Sequence, residues 1–204
     1  MTYIVPHIID GKSYTESSDK YKDLYNPATG EVIGKVNFAN NETINKAVIA
    51  AKHAFNTWST TTPIKRAQVL FKLRSLMLEN IDELAKIVTY EHGKTIEDAK
   101  GSISRAIELI EHHCGLSMQL QTSFSSNISS GIDCYDILQP LGVCAGVSPF
   151  NFPVMVPAWM IIPAIASGNT FILKPSEQTP LAATRFVELL YDAGLPDGVV
   201  NLVH

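Results

Sequence analysis

Residues 142–203 read GVCAGVSPFNFPVMVPAWMIIPAIASGNTFILKPSEQTPLAATRFVELLYDAGLPDGVVNLV. Short apolar runs at 142–147, 169–173 and 199–203 alternate with longer apolar segments at 154–166 and 180–193. The short runs fit strands covered on both faces, and the long ones fit helices. The order is βαβαβ, the mononucleotide-binding half of a doubly wound α/β fold with a Rossmann-type parallel sheet. Such sheets bind ligands beyond the carboxyl ends of their strands. Two segments fall at those ends: Ser148-Pro149-Phe150-Asn151-Phe152-Pro153 and Lys174-Pro175-Ser176-Glu177. Two prolines stiffen the first, which suits a side-chain amide that must point one way. The second falls where the adenosine ribose lies in this fold. Lys174 and Glu177 are able to hydrogen-bond ribose hydroxyls, and Glu177 would repel a 2′-phosphate, favouring NAD over NADP. The plainer alternatives are a turn held by Asn151 and a solvated Lys–Glu pair at a helix start. The Gly-x-Gly-x-x-Gly turn is missing: Gly142 and Gly146 lie in or beside the strand.

Upstream, Asp10-Gly11 signals a hairpin between Ile8-Ile9 and Tyr14, and Asn26–Gly30 a turn. From Asn41 to Cys114 the period is helical. Ile44, Val48, Ala51 and Phe55 define one face. Pro63 opens a second helix carrying Ala67, Leu70, Leu73 and Met77. A third helix, from about Ile81 to His92, stops at Gly93, and Thr95 caps a fourth. Gln119–Gly131, rich in Ser, Gln and Asn, reads as a loop, and Ile132–Leu138 as a strand. The expected division is 1–126 for amino-terminal strands and helices, 127–141 for an arm, and 142–204 for the βαβαβ half.

The chain has 204 residues, 46% of them hydrophobic, which excludes general disorder. A net charge of -4 gives no bulk attraction for nucleic acid. The apolar run at 152–166 is too short and proline-rich to span a bilayer, and Met1–Asp10 lacks the pattern of a signal or transit peptide. No membrane association and a cytoplasmic location are expected. Cys114, Cys134 and Cys144 form no CxxC pair, so no disulfide framework or zinc site is expected. Adjacent helical residues diverge by about 100°, so His112-His113-Cys114 cannot converge on one metal ion. Cys144, inside a strand, is expected to be a buried, inert thiol.

Pro140–Val143, Pro149–Pro153, Gly168-Asn169-Thr170, Lys174–Pro180, Asn26–Glu31, Ala193–Pro196 and Gly198–Asn201 together resemble the aldehyde dehydrogenase superfamily, in order and over nearly the whole chain. Phe150, Glu91-His92-Gly93-Lys94-Thr95, Asp98-Ala99, Gly101, Arg105 and Glu111-His112 are similar to its CoA-acylating branch, the methylmalonate-semialdehyde dehydrogenases. The resemblance implies an aldehyde dehydrogenase-like fold with an amino-terminal helical segment and an oligomerisation β-arm. It implies oxidation of a small semialdehyde through a cysteine thioester, with hydride transfer to NAD, loss of CO2 and acyl transfer to CoA. It places Asn151 at the reacting oxygen, where one amide donor is worth about 3–4 kcal/mol. It places Ser148, Phe150, Lys174, Glu177 and Gln178 along NAD, a cofactor this family binds without the glycine turn.

Arg105, within the branch-like stretch, is a candidate for the substrate carboxylate, with ion pairing to Glu108 or Glu111 on its own helix as the alternative. The family's nucleophilic Cys and general-base Glu match no residue here. The chain therefore reads as an amino-terminal fragment, inactive alone, of a homotetrameric enzyme. Its last strand and the Ile132–Leu138 arm are expected to present open edges and to favour poor solubility or partner-dependent folding. A non-catalytic NAD-binding or assembly module, or another branch of the superfamily, are the competing readings.

Overall fold

The computed structural model describes residues 3–16 and 18–204. The chain opens with β1 (Ile4–Val5), β2 (His7–Ile9), β3 (Lys12–Tyr14), β4 (Tyr21–Tyr25) and β5 (Val32–Asn37). Four helices follow: α1 (Asn41–Trp58), α2 (Pro63–Glu79), α3 (Ile81–His92) and α4 (Ile96–Cys114). The short α5 (Leu116–Gln119) leads to the hairpin β6 (Phe124–Ser129) and β7 (Ile132–Tyr135). The remainder is β8 (Val143–Val147), α6 (Met155–Ala166), β9 (Thr170–Lys174), α7 (Pro180–Asp192) and β10 (Val200–Leu202). The βαβαβ order thus stands where the sequence puts it.

Local chemistry sets the ends of these elements. Asp10 and Gly11 both take positive φ, 53° and 71°, as the two-residue turn between β2 and β3 requires. Side chains of Asn40, Thr62 and Thr95 accept the Thr43, Lys65 and Asp98 amides and cap α1, α2 and α4. Gly93 ends α3 in the left-handed conformation, φ 87°.

The central sheet has the order β3-β2-β10-β9-β8. Strands β8, β9 and β10 are parallel, and β2 joins β10 antiparallel with Leu202 opposite Ile8. Side chains of β9 alternate between two cores, as a strand buried on both faces must. Phe171 and Leu173 enter the large core shared with α2, α3, α4, α6 and α7. Ile172 enters a smaller one with Ala47 and Ala51 of α1. The result is a sheet between helical layers, the α/β class expected.

Four expectations change. The buried stripe of α1 is Thr43, Ala47, Ala51, Ala54 and Trp58, whereas Ile44 is 42% exposed. Small residues let this helix close on the sheet, so size outweighs hydrophobicity in choosing its inner face. Residues 124–129, read as loop, form β6, because pairing with β7 outweighs their polar composition. The last strand does not present its edge, since the hairpin β2–β3 covers it. Among the parallel strands, the outer edge left unpaired is that of β8, with Val147 74% exposed. For the same reason Cys144 on β8 is partly exposed rather than buried.

Both faces of the β6–β7 hairpin are exposed, including Phe124, Ile128, Ile132 and Tyr135. No helix among the described residues is long and apolar enough to cross a membrane.

Candidate active site

The site forms where β8 and β9 end. The Ser148 amide donates to the Lys174 carbonyl at 3.1 Å, continuing the parallel register that pairs Val147 with Lys174. This one bond sets the start of the Ser148–Pro153 loop beside the start of the Lys174–Glu177 segment. The loop is tied a second time by the Thr179 hydroxyl, which donates to the Phe150 carbonyl at 3.0 Å. Ser148 is buried, and its hydroxyl oxygen has no hydrogen-bond partner. A buried hydroxyl without a partner at a strand end is a group available to a ligand.

Lys174 donates to Glu177 at 2.7 Å, and Lys22 of β4 approaches the same carboxylate at 3.7 Å. The hydrogen bond from Lys174 holds the Glu177 carboxyl below its ordinary range, helped by its own backbone amide and by the Lys22 charge. Both partners of the Lys174–Glu177 pair keep about a third of their side chains exposed, so their remaining donor and acceptor sites stay open to a diol. Gln178 and Phe150 border a cleft of about 290 Å³ with Lys22, Asp23, Glu91 and His92. Asn151 is exposed in the loop and makes no hydrogen bond among the described residues. Its amide is thus unspent.

Behind the loop lies the turn between α3 and α4. Glu91 is buried and accepts the Leu181 and Ala182 amides at 2.7 and 2.9 Å, which satisfies two donors at the start of α7. Burial raises its carboxyl to about 8 against the pull of those two bonds. The His92 ring faces Phe150 at 6.1 Å with 24° between planes. Lys94 Nζ lies 4.5 Å from the centre of the Phe152 ring.

Six of the seven residues singled out from the sequence therefore gather at the ends of two neighbouring strands. Arg105 does not join them through any contact: it is exposed on α4, with no ion pair among the described residues. Sequence reasoning missed Lys22, which reaches Glu177 from β4, a strand outside the central sheet, and Thr179. It quoted Glu91, His92 and Lys94 only as branch-like residues. Spacing alone carries no signal for a contact between residues so far apart in the chain. None of the three cysteines borders the cleft, and Cys114, buried at the end of α4, has a thiol raised by desolvation. Among the described residues no group of three His, Cys, Asp or Glu side chains is arranged to hold a metal ion.

This arrangement has close counterparts. A methylmalonate-semialdehyde dehydrogenase of Arabidopsis thaliana, acylating and mitochondrial, is 47% identical over 200 residues, 98% of this chain and 33% of that protein. A malonate-semialdehyde dehydrogenase of Pseudomonas aeruginosa is 46% identical over 198 residues, 97% of this chain and 40% of that protein. A Sinorhizobium meliloti protein of the methylmalonate-semialdehyde dehydrogenase type, solved with NAD, superposes with a TM-score of 0.97 at 46% identity. That match covers 100% of this chain and 41% of the other. The chain spans between a third and about two fifths of the length of these relatives. The aldehyde dehydrogenase family model matches residues 14–204, so the chain belongs to the aldehyde dehydrogenase family.

Proposed function

We propose that these residues form the NAD-binding rim and oxyanion donor of an enzyme that oxidises methylmalonate or malonate semialdehyde, with loss of CO2 and transfer of the acyl group to CoA. One observation carries the reading. The Ser148–Lys174 bond levels two strand ends, so that the Asn151 loop and the Lys174–Glu177 pair begin side by side at the same end of the parallel sheet. The names of the relatives and the NAD bound in one of them support the choice of cofactor and substrate.

In this reading the residues divide the work. Lys174 and Glu177 hold the adenosine ribose, while the open Ser148 hydroxyl and the Phe150 and Gln178 side chains line the cofactor. NAD, when bound, accepts the hydride. A thiolate from outside residues 1–204 attacks the aldehyde carbon, and negative charge develops on its oxygen. Asn151 donates an amide hydrogen to that oxygen. A donor placed in advance lowers the barrier because it need not reorganise as charge builds. Arg105 binds the carboxylate that the substrate loses as CO2. Residues 127–141 act as an arm that pairs with another subunit of a cytoplasmic homotetramer, with residues 1–126 and 142–204 as the two parts of the NAD-binding unit. The 204-residue chain alone binds cofactor without turning over aldehyde.

Calorimetric titration of NAD into the chain tests the cofactor half of this reading. Saturable binding of one NAD per chain is expected, weakened about tenfold by Lys174→Ala. Absence of binding at millimolar NAD, or equal affinity in the variant, would overturn it.

A further inference from the structure

The turn Glu91-His92-Gly93-Lys94 takes no part in the cofactor contacts or the chemistry proposed above, yet three of its side chains act on the Asn151 loop. Glu91 fixes the first turn of α7 through the Leu181 and Ala182 amides. That turn follows Thr179, whose hydroxyl holds the Phe150 carbonyl. His92 lies against the Phe150 ring. Lys94 lies over the Phe152 ring, its side chain only 8% exposed and anchored to Asp98 at 3.3 Å. A cation over an aromatic face gains strength when water is excluded from it.

Phe150 and Phe152 are the immediate neighbours of Asn151. Asn151 is exposed and has no hydrogen bond of its own to set its direction. Its orientation is therefore inherited from the two rings on either side. Gly93 is what lets one turn reach both: with φ at 87° it reverses the chain between His92 and Lys94, and a Cβ there would come within 2.8 Å of Pro27 Cγ.

We infer that this turn is a clamp, in which His92 and Lys94 are positioning residues that hold the rings flanking Asn151 and so aim its amide. The inference rests on the proposed role of Asn151. An amide held in one direction before the reaction is worth far more than one that rotates freely.

Two measurements separate the clamp from that underlying role. The first is nuclear spin relaxation of the Asn151 side-chain amide in this chain. Lys94→Met should make it markedly more mobile, Lys94→Arg should restore its order, and His92→Leu should loosen it as well. Unchanged mobility in Lys94→Met would overturn the clamp. The second is kinetic, in the active enzyme that carries these residues. Lys94→Met should lower kcat roughly tenfold at constant KM for NAD, with most of the loss rescued by Lys94→Arg. On an Asn151→Ala background the same change should cost nothing further, because the amide it aims is gone. Losses that multiply would overturn the clamp, whereas full kcat in Asn151→Ala alone would remove the role of Asn151 and leave the relaxation result to judge the clamp.

Discussion

The Lys174 ammonium lies 2.7 Å from the Glu177 carboxylate three residues along, and the pair bridges the end of β9 to the segment before α7. It is an ion pair in the absence of ligand and, in the proposed reading, a ribose site in its presence. The two descriptions are compatible. Each group keeps exposed hydrogen-bonding capacity, and a pair already in place costs little further entropy to use. Lys22 at 3.7 Å adds a second positive charge to the same carboxylate.

This charge balance predicts cofactor choice. With Glu177 ionised, a 2′-phosphate meets a like charge. Glu177→Gln removes that repulsion and leaves Lys22 and Lys174 without their anion. The ratio of NADP to NAD affinity should then rise about tenfold, on the order of one pKa unit's worth of interaction. Titration of both dinucleotides into the parent and the variant reads the ratio directly. An unchanged ratio would mean that the carboxylate does not face the ribose 2′ position.

Glu91 makes a prediction about stability. It is the acceptor for two amides at the start of α7, and Glu91→Ala leaves one buried and one half-buried donor without a partner. The expected loss is about 2–3 kcal/mol in urea unfolding. Burial holds the carboxyl up at about 8, above its unfolded value of 4.5. A raised carboxyl pKa means that its stabilising contribution is complete below the unfolded value and fades as pH rises through the folded one. Stability should therefore decline as pH rises from about 4.5 to about 8 and level off above that, and Glu91→Gln, which cannot ionise, should flatten that decline. An equal or steeper decline over that range in the Gln variant would refute the assignment.

How much of this was legible beforehand follows from the range of the interactions. The parallel strands, Pro63 at the head of α2, the cap at Thr95 and the stop at Gly93 are written in neighbouring residues, so periodicity and turn chemistry find them. The inner face of α1 is not, because what selects Ala47 over Ile44 is the distance to the sheet, a property of the assembled layers. The same holds for the edge of β10: only the partnership of Ile8 with Leu202, nearly the whole chain apart, shows which strand lies open. At the site, the loop and the Lys–Glu segment could be found from strand ends. The clamp from His92 and Lys94 could not, since no pattern links Lys94 to Phe152.

A second pH effect belongs to the seam that closes the sheet. The His204 amide donates to His7 Nδ1 at 3.1 Å, and the His204 ring bonds the Pro6 carbonyl at 3.0 Å. Burial holds His204 down to about 3, with His7 and Lys174 adding positive charge nearby. His7 is also lowered, by burial, against the pull of Glu16 at 3.7 Å, and Tyr14 stacks on its ring. A depressed histidine pKa means that stability is complete above the unfolded value of 6.5 and is lost as pH falls toward the folded one. The cost is about 1.4 kcal/mol per pH unit for each such group. Melting temperature should fall on acidification from about pH 6.5, and His204→Gln should reduce the slope of that fall. An identical acid limb in the variant would show that the seam does not control it.

Arg105 carries the prediction on substrate. On its own helix Glu111 is already engaged by Arg74 at 2.8 Å, and no ion pair joins Arg105 to Glu108 among the described residues. Its guanidinium is therefore uncommitted, which removes the main local alternative to binding a carboxylate. A guanidinium holds a carboxylate through two parallel hydrogen bonds, and replacing it by leucine deletes both without emptying much volume. In the active enzyme carrying these residues, Arg105→Leu should raise KM for a carboxylate-bearing semialdehyde roughly tenfold to a hundredfold while leaving KM for an uncharged aldehyde of similar length near its original value. Arg105→Lys should fall between, because an ammonium keeps the charge and loses the bidentate geometry. Equal increases for both aldehydes would place Arg105 outside the substrate site and return it to the helix surface.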